Sequence, residues 1–196
     1  MRSGLCREWK MSRELFEPIE LSPVSSDILH TKFLPEEICE TILNSAIEIN
    51  SWEYNPRLVY HTDDIHFEKD LPGWYDIINT GLQQAFDVAS KYWDIESAEI
   101  DIASMFAVRY HLEGKLDLRV HHDDSYITGS IKLNNEYSGG ELFFPKQKFT
   151  NKNIEVGDLL LWPGQITHPH GSLPITEGEK YSITIWTKNE SLANHR

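Results

Sequence analysis

The sequence predicts an α+β domain, mainly β, in which two N-terminal helices brace a β-sandwich. Apolar residues recur at helical spacing only in the first half of the chain. From about residue 100, short apolar-rich segments alternate with turn-forming residues, the texture of a sandwich or barrel. Helices first and strands after is the order of an α+β fold. A chain of 196 residues is long enough for one domain with a real core, or one domain with a short appendage.

Residues 1–30 alternate polar and apolar without a clear period, and Pro18 and Pro23 interrupt them, so an early strand and a mobile arm both stay open. Leu34-Pro35-Glu36-Glu37 reads as a helix start, with Pro at the first helical position and acidic side chains at the positive end of the dipole. Ile38, Ile42, Ala46 and Ile49 follow at helical spacing. A second helix is expected from about Trp74 to Trp93, with Ile77, Ile78, Leu82, Phe86, Ala89 and Trp93 on one side. Expected strands are Ile102–Tyr110, Ile127–Leu133, Glu141–Pro145, Asp158–Trp162 and Tyr181–Thr187. Gly139-Gly140 and Pro163-Gly164 read as turns, and Trp162 and Trp186 as core residues. Residues 51–73 are a candidate substrate loop. The division expected is 1–30 as arm or early strand, 31–190 as the main domain and 191–196 as a tail.

Thirty-one acidic residues against eighteen basic ones give a formal charge of −13, which opposes binding to a phosphate backbone. No nucleic-acid partner is therefore expected. No apolar run approaches the roughly 18–20 residues that span a bilayer, so no membrane partner is expected either. Cys6 and Cys39 are too few for a disulfide framework and form no CxxC pattern, which suggests free thiols in a reducing compartment. The first residues hold no apolar stretch of the secretory kind, and a cytoplasmic location is the expectation.

The densest chemistry lies in two histidine pairs. His121-His122 runs into Asp123-Asp124, and His168-x-His170 follows later. A His-x-Asp on a strand points both side chains to one face. A histidine from a later strand would complete two imidazoles and one carboxylate, a set that leaves coordination positions open and suits non-haem Fe(II). Spacing alone does not choose between His121/Asp123 and His122/Asp124, nor between His168 and His170. It also leaves open plain surface or core histidines.

Ordered motifs extend well beyond these pairs. Val108-Arg109-Tyr110 is followed by Leu118-Arg119-Val120-His121-His122-Asp123-Asp124-Ser125, Thr128 and Lys132-Leu133-Asn134. Then come Tyr137-Ser138-Gly139-Gly140-Glu141-Leu142, Gly157-Asp158, Pro163-Gly164, Thr167-His168-Pro169-His170 and the stretch from Leu173 to Tyr181. From Phe106 to Trp186 the chain resembles the catalytic domain of the 2-oxoglutarate and Fe(II)-dependent oxygenases, in particular the procollagen lysyl hydroxylases and the wider prolyl hydroxylase group. Asp64-Ile65-His66 is a weaker echo upstream, which suggests that the helical half belongs to the same domain.

The resemblance implies a double-stranded β-helix (jelly-roll, cupin-like) core braced by the N-terminal helices. It implies residues 31–190 as the dioxygenase domain, and His121, Asp123 and His170 as metal ligands and catalytic residues. In the family the distal histidine stands ten positions before a basic residue that binds 2-oxoglutarate. Here that residue is Lys180, where the lysyl hydroxylases carry Arg and the prolyl hydroxylases Lys. Tyr110 is implied as a donor to the same distal carboxylate, with Ser182 and Thr128 as further cosubstrate-binding candidates and Ser130 as a weaker one. The implied cofactor and cosubstrates are Fe(II), 2-oxoglutarate and O2, with ascorbate as a further expectation. The implied activity is hydroxylation of an unactivated C–H bond, on a lysyl or prolyl residue of a peptide or protein. A free amino acid or other small molecule is the alternative substrate, and a non-catalytic cupin-like metal- or ligand-binding module the alternative of another class. A homodimer is carried as a partner expectation. The acidic surface suits a cationic target and equally suits plain solubility.

Overall fold

The structure, a computed structural model, describes residues 16, 18–54, 62–97 and 100–189. Along the described chain run β1 (Ser22–Ser25), β2 (Ile28–Lys32), α1 (Glu36–Ile49), β3 (Glu53–Tyr54), β4 (Asp63–His66), α2 (Phe67–Asp70), α3 (Pro72–Trp93) and β5 (Ile100–His111). They are followed by β6 (Leu118–His121), β7 (Ile127–Lys132), β8 (Tyr137–Gly139), β9 (Leu142–Phe144), β10 (Phe149–Thr150), β11 (Asp158–Pro163), β12 (His170–Ser172) and β13 (Ile175–Asn189). The large sheet has the order β1-β2-β11-β7-β13-β5-β4-β3, with β8 pairing on β13, and the small one the order β10-β9-β12-β6. All pairings are antiparallel. Two facing antiparallel sheets with a non-sequential strand order are the jelly-roll arrangement, braced by helices as expected.

Period-two alternation divides the large sheet between two environments. Met105 and Ala107 of β5, Ile131 of β7, Leu159 and Leu161 of β11 and Ile183 and Ile185 of β13 face the helices. The helices answer with Cys39, Ile42 and Ala46 of α1 and Ile78, Leu82, Ala85, Phe86 and Ala89 of α3. The intervening residues of the same strands face the small sheet and line a cavity.

Several boundaries differ from expectation. Pro35 caps α1 from outside the helix instead of opening it, and Ile49 at the far end is 43% exposed because the apolar stripe runs through Cys39 instead. Helix α3 begins earlier, with Pro72 in its first turn, and ends at Asp94 in the left-handed conformation (φ 53°). The last strand begins at Ile175, so Lys180 lies within β13 and does not open it. Residues 176–179 are exposed on both sides, which hid the strand's alternation. Residues 22–25 and 28–32 supply two strands to the large sheet. Residues 51–73 hold β3, β4 and α2 where a substrate loop was expected. Residues 1–15 with Cys6, residues 55–61 and the tail 191–196 lie outside the described residues.

Candidate active site

Between the sheets lies a cavity of about 480 Å³. The large sheet contributes Ser104, Phe106, Val108 and Tyr110 from β5, Thr128, Ser130 and Lys132 from β7, and Lys180, Ser182, Thr184 and Trp186 from β13. The small sheet contributes Leu118 and His121 from β6, Leu142 from β9 and His170, Gly171 and Ser172 from β12. Asp64 and His66 of β4 close one side.

His121 and His170 are direct partners across the β6/β12 pair. One ligand atom each from His121, Asp123 and His170 lies within 4.8 Å of the others. Nε2 of His121 is 3.3 Å from Asp123 Oδ1, and Nε2 of His170 is 3.3 Å from Asp123 Oδ2. His121 Nδ1–H donates to the carbonyl of Arg119 at 2.8 Å, and His170 Nδ1–H to that of His168 at 3.0 Å. A carbonyl only accepts, so in each neutral ring the proton resides on Nδ1 and Nε2 presents its lone pair to the cluster. Burial holds His170 below the ordinary imidazole range against the pull of Asp123, which favours the neutral, ligating form. The ring is seated against Phe144 and edge-on to Trp162. Two imidazoles and one carboxylate, with their rings fixed from behind, are the donor set that holds a divalent transition metal while leaving positions for other ligands.

Asp123 does not share a strand with His121, as a His-x-Asp on one strand would require. Strand β6 stops at His121, and Asp123 sits in the following turn, where its backbone N–H donates to Gly164 O at 3.0 Å. A side chain at Gly164 would collide with the carbonyl of Ser125 and crowd Thr128 Oγ1, so only glycine permits this approach. Thr128 Oγ1 donates to Asp123 Oδ2 at 2.8 Å. Thr128, expected as a cosubstrate candidate, therefore holds the carboxylate of the His121/Asp123/His170 donor cluster in place. The competing residues lie elsewhere. His122 and Asp124 are exposed at the cavity mouth, and His168 bonds to Ser26 O at 3.0 Å and to Thr167 Oγ1 at 2.9 Å.

Lys180 occupies the opposite wall. It is buried, and its Nζ donates to Gly140 O at 2.7 Å and to Ser172 Oγ at 2.9 Å while lying over the Tyr110 ring at 4.7 Å. Two of its three donors are thus used, and the third has no hydrogen-bond acceptor among the described residues. Burial pushes its pKa down to about 7, with the charge of Glu141 opposing the fall. Tyr110 is buried beside it, and burial raises its hydroxyl well above the phenolic range, with Ser172 opposing the rise. Ser182 and Ser130 line the same wall. Gly140 and Ser172 were not singled out from the sequence: Gly140 was read as a turn. Its φ of +72° is indeed a turn geometry, yet its carbonyl is what receives Lys180. Trp186, expected in the core, packs half-buried against the Phe106, Val108, Tyr110 and Ile175 cluster and also lines the cavity, edge-on to Phe106 at 5.1 Å. Trp162, 2% exposed, belongs to both core and cavity wall.

Comparison with known proteins follows the same outline. Residues 105–188 match the 2OG-Fe(II) oxygenase superfamily. A 2-oxoglutarate and iron-dependent oxygenase domain-containing protein 2 from Xenopus tropicalis is 32% identical over 103 residues, covering 48% of this chain and 29% of the relative. A multifunctional procollagen lysine hydroxylase and glycosyltransferase from Caenorhabditis elegans is 26% identical over 172 residues, covering 79% of this chain and 23% of the relative. The chain thus spans less than a third of the length of these relatives. Among solved structures, a viral collagen prolyl hydroxylase from Paramecium bursaria Chlorella virus-1, in complex with 2OG, superposes with a TM-score of 0.64 at 18% identity. That superposition covers 83% of this chain and 96% of the viral one.

Proposed function

From the premise that the chain belongs to the 2OG-Fe(II) oxygenase superfamily, we propose that it is an Fe(II)- and 2-oxoglutarate-dependent dioxygenase that hydroxylates a lysyl or prolyl residue of a peptide or protein. The observation that carries this reading is the pairing, in one cavity, of the His121/Asp123/His170 donor set with a buried lysine that keeps a donor in reserve. A module that merely bound a metal or a sugar would have no use for that buried cation beside the donor set.

In this reading His121, Asp123 and His170 hold the iron. Bound iron, 2-oxoglutarate and O2 together supply an oxidant strong enough to break an unactivated C–H bond, with 2-oxoglutarate released as succinate and carbon dioxide. The chain's own residues do the rest. Arg119 O and His168 O keep the imidazole protons on the far side of each ring, and Thr128 fixes the orientation of Asp123. Lys180, with its third N–H, binds the distal carboxylate of the cosubstrate, helped by Tyr110 and Ser182. Phe106, Val108 and Trp186 give the wall an apolar stretch, which limits water there. Ascorbate as an accessory reductant, a cytoplasmic setting and a homodimer complete the proposal; for the setting, the buried free thiol of Cys39 is the support.

The test is mass spectrometry of Lys- and Pro-containing peptides incubated with the iron-loaded protein, 2-oxoglutarate and O2. Gain of one oxygen atom on the peptide, matched by succinate, is the expected result. Succinate and oxygen transfer absent from every peptide and free amino acid tried would refute the reading.

A further inference from the structure

Strand β4 reaches the cavity by alternation. Asp63 turns away, and its Oδ2 accepts hydrogen bonds from Arg109 Nη2 at 3.1 Å and His111 Nε2 at 2.8 Å. That anchorage fixes the register Asp63↔Arg109, Asp64↔Val108 and His66↔Phe106, so Asp64 turns inward. It stands among Phe106, Val108 and Tyr110, with Trp186 edge-on to Phe106 close by. Oδ1 of Asp64 is buried and has no hydrogen-bond partner among the described residues, and the indole N–H of Trp186 is in the same condition. Glu53, the other carboxylate on this side, is engaged by Lys69.

A buried carboxylate oxygen without a donor costs free energy that nothing in the surrounding wall recovers. Burial pushes the Asp64 pKa up to about 6, against opposition from its Thr62 hydrogen bond and the charge of His66. A cationic donor placed at Oδ1 would favour the ionised carboxylate and oppose that rise. Beside Thr62 and His66, Phe106 and Val108 offer Asp64 an apolar stretch of wall suited to an aliphatic stem.

We propose that Asp64 is the specificity-determining residue of the active site: it receives the ammonium group of a lysyl side chain whose stem lies along Phe106 and Val108, and so selects lysyl over prolyl substrates. The inference rests on the hydroxylase reading of the same cavity and deepens it. A lysyl ammonium brings donors for the unmet oxygen, whereas a prolyl ring leaves it unpaired, and a site built to pair a polar group rejects the analogue that lacks it. The Trp186 N–H is a donor for a carbonyl of the peptide main chain.

Binding and chemistry are measured separately. Fluorescence anisotropy on the intact chain, loaded with Zn(II) and 2-oxoglutarate, compares labelled peptides that differ only in carrying Lys, norleucine or Pro. The wild type is expected to bind the Lys peptide at least about tenfold more tightly than the other two. Asp64→Asn removes that preference, and Asp64→Glu retains most of it. Absence of the preference in the wild type, or its survival in Asp64→Asn, overturns the proposal. The wild-type comparison of Lys with norleucine tests it even if a variant misfolds. Mass spectrometry of the iron-loaded protein on the same peptides separates the two readings. Asp64-dependent binding without oxygen transfer would sink the hydroxylase assignment alone, and preferential hydroxylation of the Pro peptide would sink the Asp64 proposal alone.

Discussion

Lys180, buried, and Asp64, half-buried with its Oδ1 enclosed, stand on the wall of one cavity, yet they are finished to different degrees. The lysine has two of its three donors committed to Gly140 O and Ser172 Oγ and rests on the Tyr110 ring, while Asp64 keeps a carboxylate oxygen with no donor among the described residues. A charge that is largely satisfied before any ligand arrives is preorganised for a constant companion. A charge left unmet waits for the variable one. The contrast fits the proposed roles, with the Lys180 side for the cosubstrate, the Asp64 side for the substrate and the His121/Asp123/His170 donors between them.

Removing the shared centre should abolish both roles at once. His121→Ala, Asp123→Ala or His170→Ala is expected to reduce succinate formation by about a thousandfold or more and to lose Co(II) binding in an equilibrium dialysis, with the circular dichroism spectrum retained. His168→Ala should keep both, and loss of metal in that variant alone would reassign the ligand. The two sides should then come apart under single substitutions. Lys180→Ala is expected to raise the KM for 2-oxoglutarate about a hundredfold with little effect on peptide affinity, whereas Asp64→Asn weakens the peptide and spares the cosubstrate. Equal effects on both ligands would erase the distinction.

A smaller effect is expected behind the metal site. Thr128→Val removes the donor to Asp123 Oδ2 while keeping the volume, and metal affinity should fall about tenfold. An unchanged affinity, with the KM for 2-oxoglutarate raised instead, would restore Thr128 to the cosubstrate. The last effect is on stability. Burial lowers Lys180 to about 7 from the 10.5 of an ordinary lysine, so between those values the unfolded chain binds the extra proton. Stability attributable to Lys180 therefore rises with pH across that window, by at most about 1.4 kcal/mol per pH unit. Cys39, raised by burial to about 12, pulls the other way above pH 9, so the difference between wild type and Lys180→Met in urea titrations isolates the lysine. A flat difference would mean that burial does not depress the Lys180 pKa.

The two sides were also unequally legible in the sequence. His121, Asp123, His170 and Lys180 were legible through the family resemblance, since spacing alone left His122/Asp124 and His168 open. Asp64 appeared only as an echo, because its meaning depends on the pairing of β4 with β5, which turns Asp63 out and Asp64 in. Gly140 and Ser172 lie 40 and 8 residues from the lysine they hold, and no local pattern announces either contact. Asp123 was expected on a strand because His-x-Asp spacing suits one. The Gly164 contact shows that a turn delivers it. The start of β13 was missed because residues 176–179 face solvent on both sides and present no alternation to read.

Strand β13 carries Lys180, Ser182, Thr184 and Trp186 on one face of an unbroken stretch, with its irregularity displaced to Trp186/Thr187. It works as a ruler whose marks are set at every second residue, about 20 Å from the first to the last of these four. Single substitutions along it change a mark, but inserting or deleting one residue between Lys180 and Trp186 would turn one of them to the helix side. Exchanging side chains along this strand can therefore retune what the cavity holds, while changes of length are confined to the connections between strands.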